Sequence, residues 1–237
     1  MISFKNLQFD VGIDHAIRGM RNSYNSWDKS DSKWVDLVPD GIEYEIGKAD
    51  KELCRKLVKA GPAHRKFLRM IFCYCDITAP MYWWKQFDTY KVGTVANSTS
   101  TMHKILDKEF SRSDFSFGSP TMEGSEFWDR DVVDNFDRTI DTLNSLRKKA
   151  LRDREHKAEY ESVMYDILPS SYNQMRTVCI SYEVLYNIWC TRRGHKLGEW
   201  KDFIDAVCVP ALWPFVEEMD KYGYSELQAD ADTSSDS

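Results

Sequence analysis

Residues 79–103 read APMYWWKQFDTYKVGTVANSTSTMH, and the way this stretch folds decides how the chain on either side is understood. An aromatic and apolar run passes through Lys85, Gln86, Asp88 and Lys91, then changes abruptly into small hydroxyl and amide residues. Bulky walls beside polar groups suit a pocket for a flat, anionic ligand. Gly93, Ser98, Thr99 and Ser100 are small enough to bring N–H and hydroxyl groups against a phosphate. A buried helix followed by a polar turn explains the same letters, so the flanking landmarks decide between the two. Ala79-Pro80 closes the preceding segment, and the pattern predicts a helix from about Met81 to Val92.

Upstream, MIFCYCDIT is apolar on both faces, with Ile71, Cys73, Cys75 and Ile77 against Phe72 and Tyr74. That predicts a central strand covered on both sides. Before it, Asp50 to Ala60 reads as a helix with an Asp cap, one apolar side (Leu53, Leu57, Val58) and Gly61-Pro62 as its stop. Ile2, Phe4, Leu7, Phe9 and Val11 alternate loosely as a first strand, and Ala16, Ile17 and Met20 suggest a short helix. A loop rich in Asn, Ser and Asp follows, around Ser23 to Ser32. Such loops are often plain turns, yet Arg18, Arg21 and Ser23 are also suited to an anion.

Downstream, Ser111 to Gly124 carries Ser, Gly and Pro without periodicity and reads as a loop or lid. Val133, Phe136, Ile140 and Leu143 lie on one face of a helix expected from about Asp131 into the 150s. The mixed-charge run RKKALRDREHK reads as a solvated face or a helix junction, and Ile167-Leu168-Pro169 breaks the pattern. Met175, Val178, Tyr182, Leu185 and Trp189 recur at spacings of three and four, predicting one amphipathic helix that stops at Gly194. A further helix begins near Glu199, with Pro210 and Pro214 interrupting or kinking it. The tail from Ser225 has the composition of a disordered segment.

A chain of 237 residues with 42% apolar residues and eight Trp can bury a substantial core. Its net charge of −6 argues against a general nucleic-acid binder. No signal-peptide pattern and no long apolar span is read, so no membrane partner is expected. The six scattered Cys are then expected as reduced thiols in a cytoplasmic compartment. Cys73 and Cys75 share a strand face, but no second Cys or His pair stands at ligand spacing, so no metal is expected.

With these landmarks in order, the chain resembles the flavin-dependent thymidylate synthase (ThyX) family from roughly Asp14 to Pro210. The likeness rests on a helix ending in Gly, then His64, an apolar strand ending Ala-Pro, and a helix bearing Gln86 that enters a Ser/Thr/Asn loop. Leu168-Pro169 and a helix ending at Arg192 complete it. The resemblance implies an α+β fold, a central antiparallel sheet with a largely helical second half, as one domain over 1–224. It also implies a homotetramer that binds FAD and reductively methylates dUMP or a related pyrimidine nucleotide. Methylene-tetrahydrofolate would give the carbon and NADPH would reduce the flavin.

Site residues follow from the same resemblance. Ser23, His64 and Asn187 fall on cofactor-facing positions, and Tyr90 and Lys91 stand where the family has part of its Arg-His-Arg signature. Gln86, Lys91, Ser100 and Arg192 are the expected substrate contacts, with Arg192 also the expected catalytic group. The departures are specific: Thr89, Tyr90 and Lys91 replace Arg-His-Arg, Tyr165 replaces an Arg before Leu-Pro, and Glu183 replaces a flavin-contacting Arg. Arg offers a planar fork to a phosphate; Lys is a point charge, and Thr and Tyr bring none. Three functions therefore stand open: a divergent nucleotide methylase, a non-catalytic nucleotide or flavin binder, and a structural oligomer that keeps only the fold.

Overall fold

A computed structural model describes residues 2–37, 41–117 and 130–222. The tail from Ser225 and residues 118–124 of the expected loop or lid lie outside the described residues. The fold mixes helices with an antiparallel sheet. Strands β1 (Ser3–Val11), β4 (Phe72–Pro80), β5 (Thr94–Ser98) and β6 (Asn173–Ser181) form a four-stranded sheet in the order β1-β4-β6-β5. Strands β2 (Lys33–Leu37) and β3 (Gly41–Glu45) pair separately as an antiparallel hairpin, with Trp34 opposite Tyr44.

Contacts divide the chain into two compact units. One comprises Met1–Lys5, Asp76–Thr89 and Ala96–Thr177; the other comprises Asn6–Cys75, Tyr90–Val95 and Val178–Ser237. The first unit contains α3 (Met81–Phe87), α4 (Thr101–Lys104), α5 (Arg130–Arg152) and α6 (Lys157–Ile167). Its core gathers Phe110, Phe115, Phe136, Ile140, Leu143 and Met164. The mixed-charge run is the junction of α5 and α6, turned by the Asp153 carboxylate, which accepts N–H groups of Glu155 and His156 at 3.1 and 3.2 Å.

The second unit contains α1 (Ile13–Met20), α2 (Lys48–Lys59), α7 (Tyr182–Arg192), α8 (Gly198–Phe203) and α9 (Val209–Leu212). Ile17, Leu68, Ile71, Tyr182, Leu185, Phe203 and Phe215 are buried in it. A single π turn, Ile204–Cys208, joins α8 to α9, so Pro210 does not break the chain there. The widened turn sits where Pro210 would otherwise leave its missing N–H in the ladder. All six cysteines are free thiols; Cys54, Cys73, Cys75 and Cys208 are buried, Cys179 is half-buried and Cys190 is exposed.

Five sequence expectations are corrected. The segment from Met175 is not the start of a helix: residues 173–181 are β6, and the helix begins at Tyr182. Gln174, Val178 and Ile180 are buried in β6, so period-2 alternation, not the spacing of three and four, governs there. The focal helix stops at Phe87 instead of Val92. Thr89 ends it, turning both its N–H and its hydroxyl onto the Gln86 carbonyl at 3.2 and 2.7 Å. β4 buries Cys73, Cys75, Ile77 and Ala79 on one face but leaves Tyr74 on the other 40% exposed, so this chain does not cover both sides. Asp50 is not the cap of α2. Asp31, far upstream, accepts the Ala49 and Asp50 N–H groups at 2.8 and 3.1 Å and does the capping, while Asp50 is buried in the first turn.

The Ser/Thr/Asn stretch is likewise not an open turn. Residues 94–98 are β5, and Thr99 spends its N–H on the Met175 carbonyl at 2.9 Å. Gly93 is small for a packing reason: at φ 87° a Cβ would lie 2.7 Å from the Ser181 hydroxyl oxygen.

Candidate functional site

Within the second unit, the end of α1, the loop that follows it, α2 and residues 63–70 enclose a cleft of about 890 Å³. Its lining includes two expected cofactor residues, Ser23 and His64, which lie far apart in sequence. Apolar groups come from Met20, Leu53, Leu57, Phe67 and Met70, and Tyr24 stands in the wall with 89% of its surface exposed. Lys29, Lys56 and Lys66 bring positive charge against one carboxylate, Glu52. An apolar floor with cations around it can seat a ring system and hold an anionic group beside it.

A second cluster in the same unit surrounds the end of α7. Arg192 donates from Nε to the Tyr90 hydroxyl at 3.0 Å, and that hydroxyl lies 2.8 Å from Thr191 Oγ1. Thr191 in turn donates to the Asn187 carbonyl at 2.8 Å. With the Tyr90 oxygen accepting from a guanidinium, the phenol proton points to Thr191, and the whole chain of donors takes one direction. Arg192 also lies over the ring of buried Trp200, 4.9 Å from its centroid, within cation–π reach. The Asn187 side chain and Lys91 are exposed to solvent.

His195 was not singled out in the sequence, yet it stands 6.4 Å ring to ring from Trp200. Its Nδ1 accepts the Leu197 N–H at 3.2 Å, which assigns the proton of a neutral ring to Nε2. Desolvation, with Arg192 and Lys196 nearby, moves its pKa down from the ordinary value. His195 therefore favours the neutral form at the margin of the Arg192 cluster. A lone histidine just past a helix end carries no sequence pattern that would have found it.

Arg65 was also missed. It forms an ion pair with Glu183 at 3.1 Å and lies over the Tyr186 ring at 4.5 Å. The Arg expected at position 183 is thus replaced by a carboxylate that draws in an Arg from position 65. Gln86 and Ser100 belong to the first unit, where both are partly buried. There Arg176 lies over the Trp84 ring at 4.2 Å, donates to Gln174 at 3.0 Å and pairs with Asp88 at 2.8 Å. The sequence expectations thus meet in two places in one unit, Ser23 with His64 and Tyr90 with Arg192. Among the described residues, no group of three or more His, Cys, Asp or Glu side chains could hold a metal ion.

No protein-family model matches the chain, and no curated protein matches it in sequence. Solved structures do. Thymidylate synthase X (ThyX) from Helicobacter pylori, in a crystal structure with FAD and dUMP, matches 93% of this chain and 95% of its own at 16% identity, with a TM-score of 0.57. Another crystal structure of that Helicobacter pylori enzyme with FAD and dUMP matches 92% and 98% at 17% identity, with a TM-score of 0.60. The fold is ThyX-like. At this identity the likeness is one of architecture, and it extends over nearly the whole chain. The ThyX-like fold agrees with the α+β expectation and leaves the site to be argued from its own residues.

Proposed function

We propose that this chain is a divergent flavin-dependent thymidylate synthase-like enzyme that methylates dUMP or a related pyrimidine nucleotide, working as a homotetramer. The observation that carries this is the convergence of Ser23 and His64 on one cleft with a cationic rim, in a fold shared with an enzyme solved with FAD and dUMP. The residues present fit an FAD. The cleft lies within the usual ligand-pocket range of roughly 300–1,000 Å³, and its lysines can meet a diphosphate while Tyr24 and the apolar floor meet a ring. When bound, reduced flavin supplies the hydride for the reductive step. Methylene-tetrahydrofolate and NADPH are proposed as the carbon donor and the reductant.

Arg192 is proposed as the substrate-side cation, with Lys91 adding charge without a bidentate fork; Gln86 and Ser100, in the first unit, are proposed as substrate contacts on the resemblance alone. The Arg192 Nε donates to the Tyr90 hydroxyl, which ties the guanidinium to the end of α7. Binding without turnover is the second reading, and one observation favours it. The additional guanidiniums Arg65 and Arg176 are already neutralised by Glu183 and Asp88.

The experiment is a visible spectrum of the purified protein with FAD titration, followed by assay for dTMP with dUMP, methylene-tetrahydrofolate and NADPH. A flavin spectrum together with dTMP formation is expected. Flavin uptake without turnover selects the second reading, and a colourless protein that takes up no FAD defeats both.

A further inference from the structure

The cleft's inner wall is held by a buried ion pair in which Arg21, read in the sequence as suited to an anion, is instead committed to Asp50. Asp50 is 0% exposed and Arg21 is 5% exposed. Arg21 donates from Nε to Asp50 Oδ1 at 2.6 Å, and the Ser30 and Ser32 hydroxyls each donate to Oδ2 at 2.6 Å. The Ser32 N–H adds a longer contact at 3.3 Å, and Arg21 Nη1 reaches the Ser26 carbonyl at 3.3 Å. One carboxylate thus fixes both ends of the 21–32 segment, whose Arg21, Ser23, Tyr24, Ser26 and Lys29 line the cleft.

We infer that Asp50 is a positioning residue for the cleft: it sets the wall's shape and cancels the Arg21 charge, so that the anion is drawn by the lysine rim and not by the wall. This rests on the cleft being the anion site proposed above. Lys29, Lys56 and Lys66 stand at the cleft against Glu52, and Asp50 removes Arg21 from that balance. A buried pair whose Coulomb gain roughly offsets its desolvation is a poor stabiliser but a good determinant of local arrangement. If one member alone loses its charge, the other is left buried and unbalanced, and a bound anion then feels it strongly.

Inorganic pyrophosphate binding, measured by calorimetry at low and high salt, tests this. Asp50→Asn, which keeps an acceptor for Arg21 but no charge, is expected to tighten pyrophosphate by about ten-fold at low salt, with steeper salt dependence. Arg21→Gln is expected to weaken it by a similar factor. The double variant, with no buried charge on the wall and so the easiest of the three to fold, is expected to recover most of what Arg21→Gln loses. If the double variant binds as weakly as Arg21→Gln, Arg21 touches the ligand directly and Asp50 is only scaffold. Equal affinities for parent and all variants overturn the inference as well. FAD titration of the parent reports separately on the flavin reading: a parent that takes up no FAD but shows the pyrophosphate order removes the cofactor and keeps the Asp50 inference.

Discussion

At the scale of single residues, Arg192 is where the chemistry is most exposed to test. Its geometry depends on Tyr90 and Trp200, so charge and orientation can be separated. Arg192→Ala is expected to cost roughly 1.5–3 kcal/mol of dUMP affinity, about ten- to a hundred-fold, because the anion loses a charged donor. Arg192→Lys should recover only part of that, and calorimetric titration reads both. Lys148→Ala is the control, since Lys148 is exposed and its ion pair is with exposed Glu109 at 3.2 Å. Binding by both alanine variants at the parental level would reduce Arg192 to a helix-terminal charge. A different residue sets a pH dependence. Burial moves the Asp10 pKa above its ordinary value of 3.8, only partly opposed by the Tyr182 hydroxyl, which donates to it at 2.8 Å. A carboxyl with a raised folded pKa binds its proton more tightly when folded. Its contribution is therefore full below 3.8 and is lost as pH rises through the folded value. Asp10→Asn, which keeps the acceptor and tolerates the φ of 60°, should gain stability relative to the parent at neutral pH and not in acid. Urea midpoints across pH would show a constant difference if Asp10 is not the group responsible.

At the scale of elements, the residues leading into β5 make a close approach within the second unit, Gly93 against Ser181. Gly93→Ala forces a Cβ against Ser181 and strains a positive φ, and it is expected to destabilise by about 1–3 kcal/mol. Gly194→Ala, where nothing lies within 4 Å, should be near neutral in the same thermal melt. This region also shows what the sequence could and could not reveal. The strand 72–80, the helices over 13–20, 48–59 and 130–152, and the Leu168-Pro169 break were legible because each carries its own period or its own stop. β6 was not, because Met175 and Val178 happen to fall at helical spacing from Tyr182 while lying on opposite faces of a strand. Nor was the cap of α2: Asp50 has the right chemistry, but Asp31 reaches the helix only through tertiary folding. Of the proposed site, His64, Ser23 and Arg192 could be named from the family resemblance. Arg65, Arg176 and His195 could not, because their partners are distant in sequence or, for His195, because an isolated histidine near a helix end carries no pattern.

For the whole molecule, the proposed homotetramer has a physical basis in exposed apolar groups of the sheet. Tyr74 on β4 and Leu7 on the neighbouring β1 are each 40% exposed, both within the second unit. Apolar side chains in adjacent strands are what subunit interfaces cover. Light scattering across micromolar concentrations is expected to give a tetramer mass, and Tyr74→Lys should shift it toward smaller species. A monomer in the parent would remove both the assembly and any site completed by a second copy. The thiol distribution bears on how such measurements are made. Four cysteines lie inside the core and a fifth is half-covered, while Cys190 faces solvent on the same helix as Arg192, two residues before it. The protein therefore carries its own attachment point for a maleimide dye. A fluorophore placed there, without engineering the background, would report occupancy of the Arg192 cluster as a change in intensity during titration.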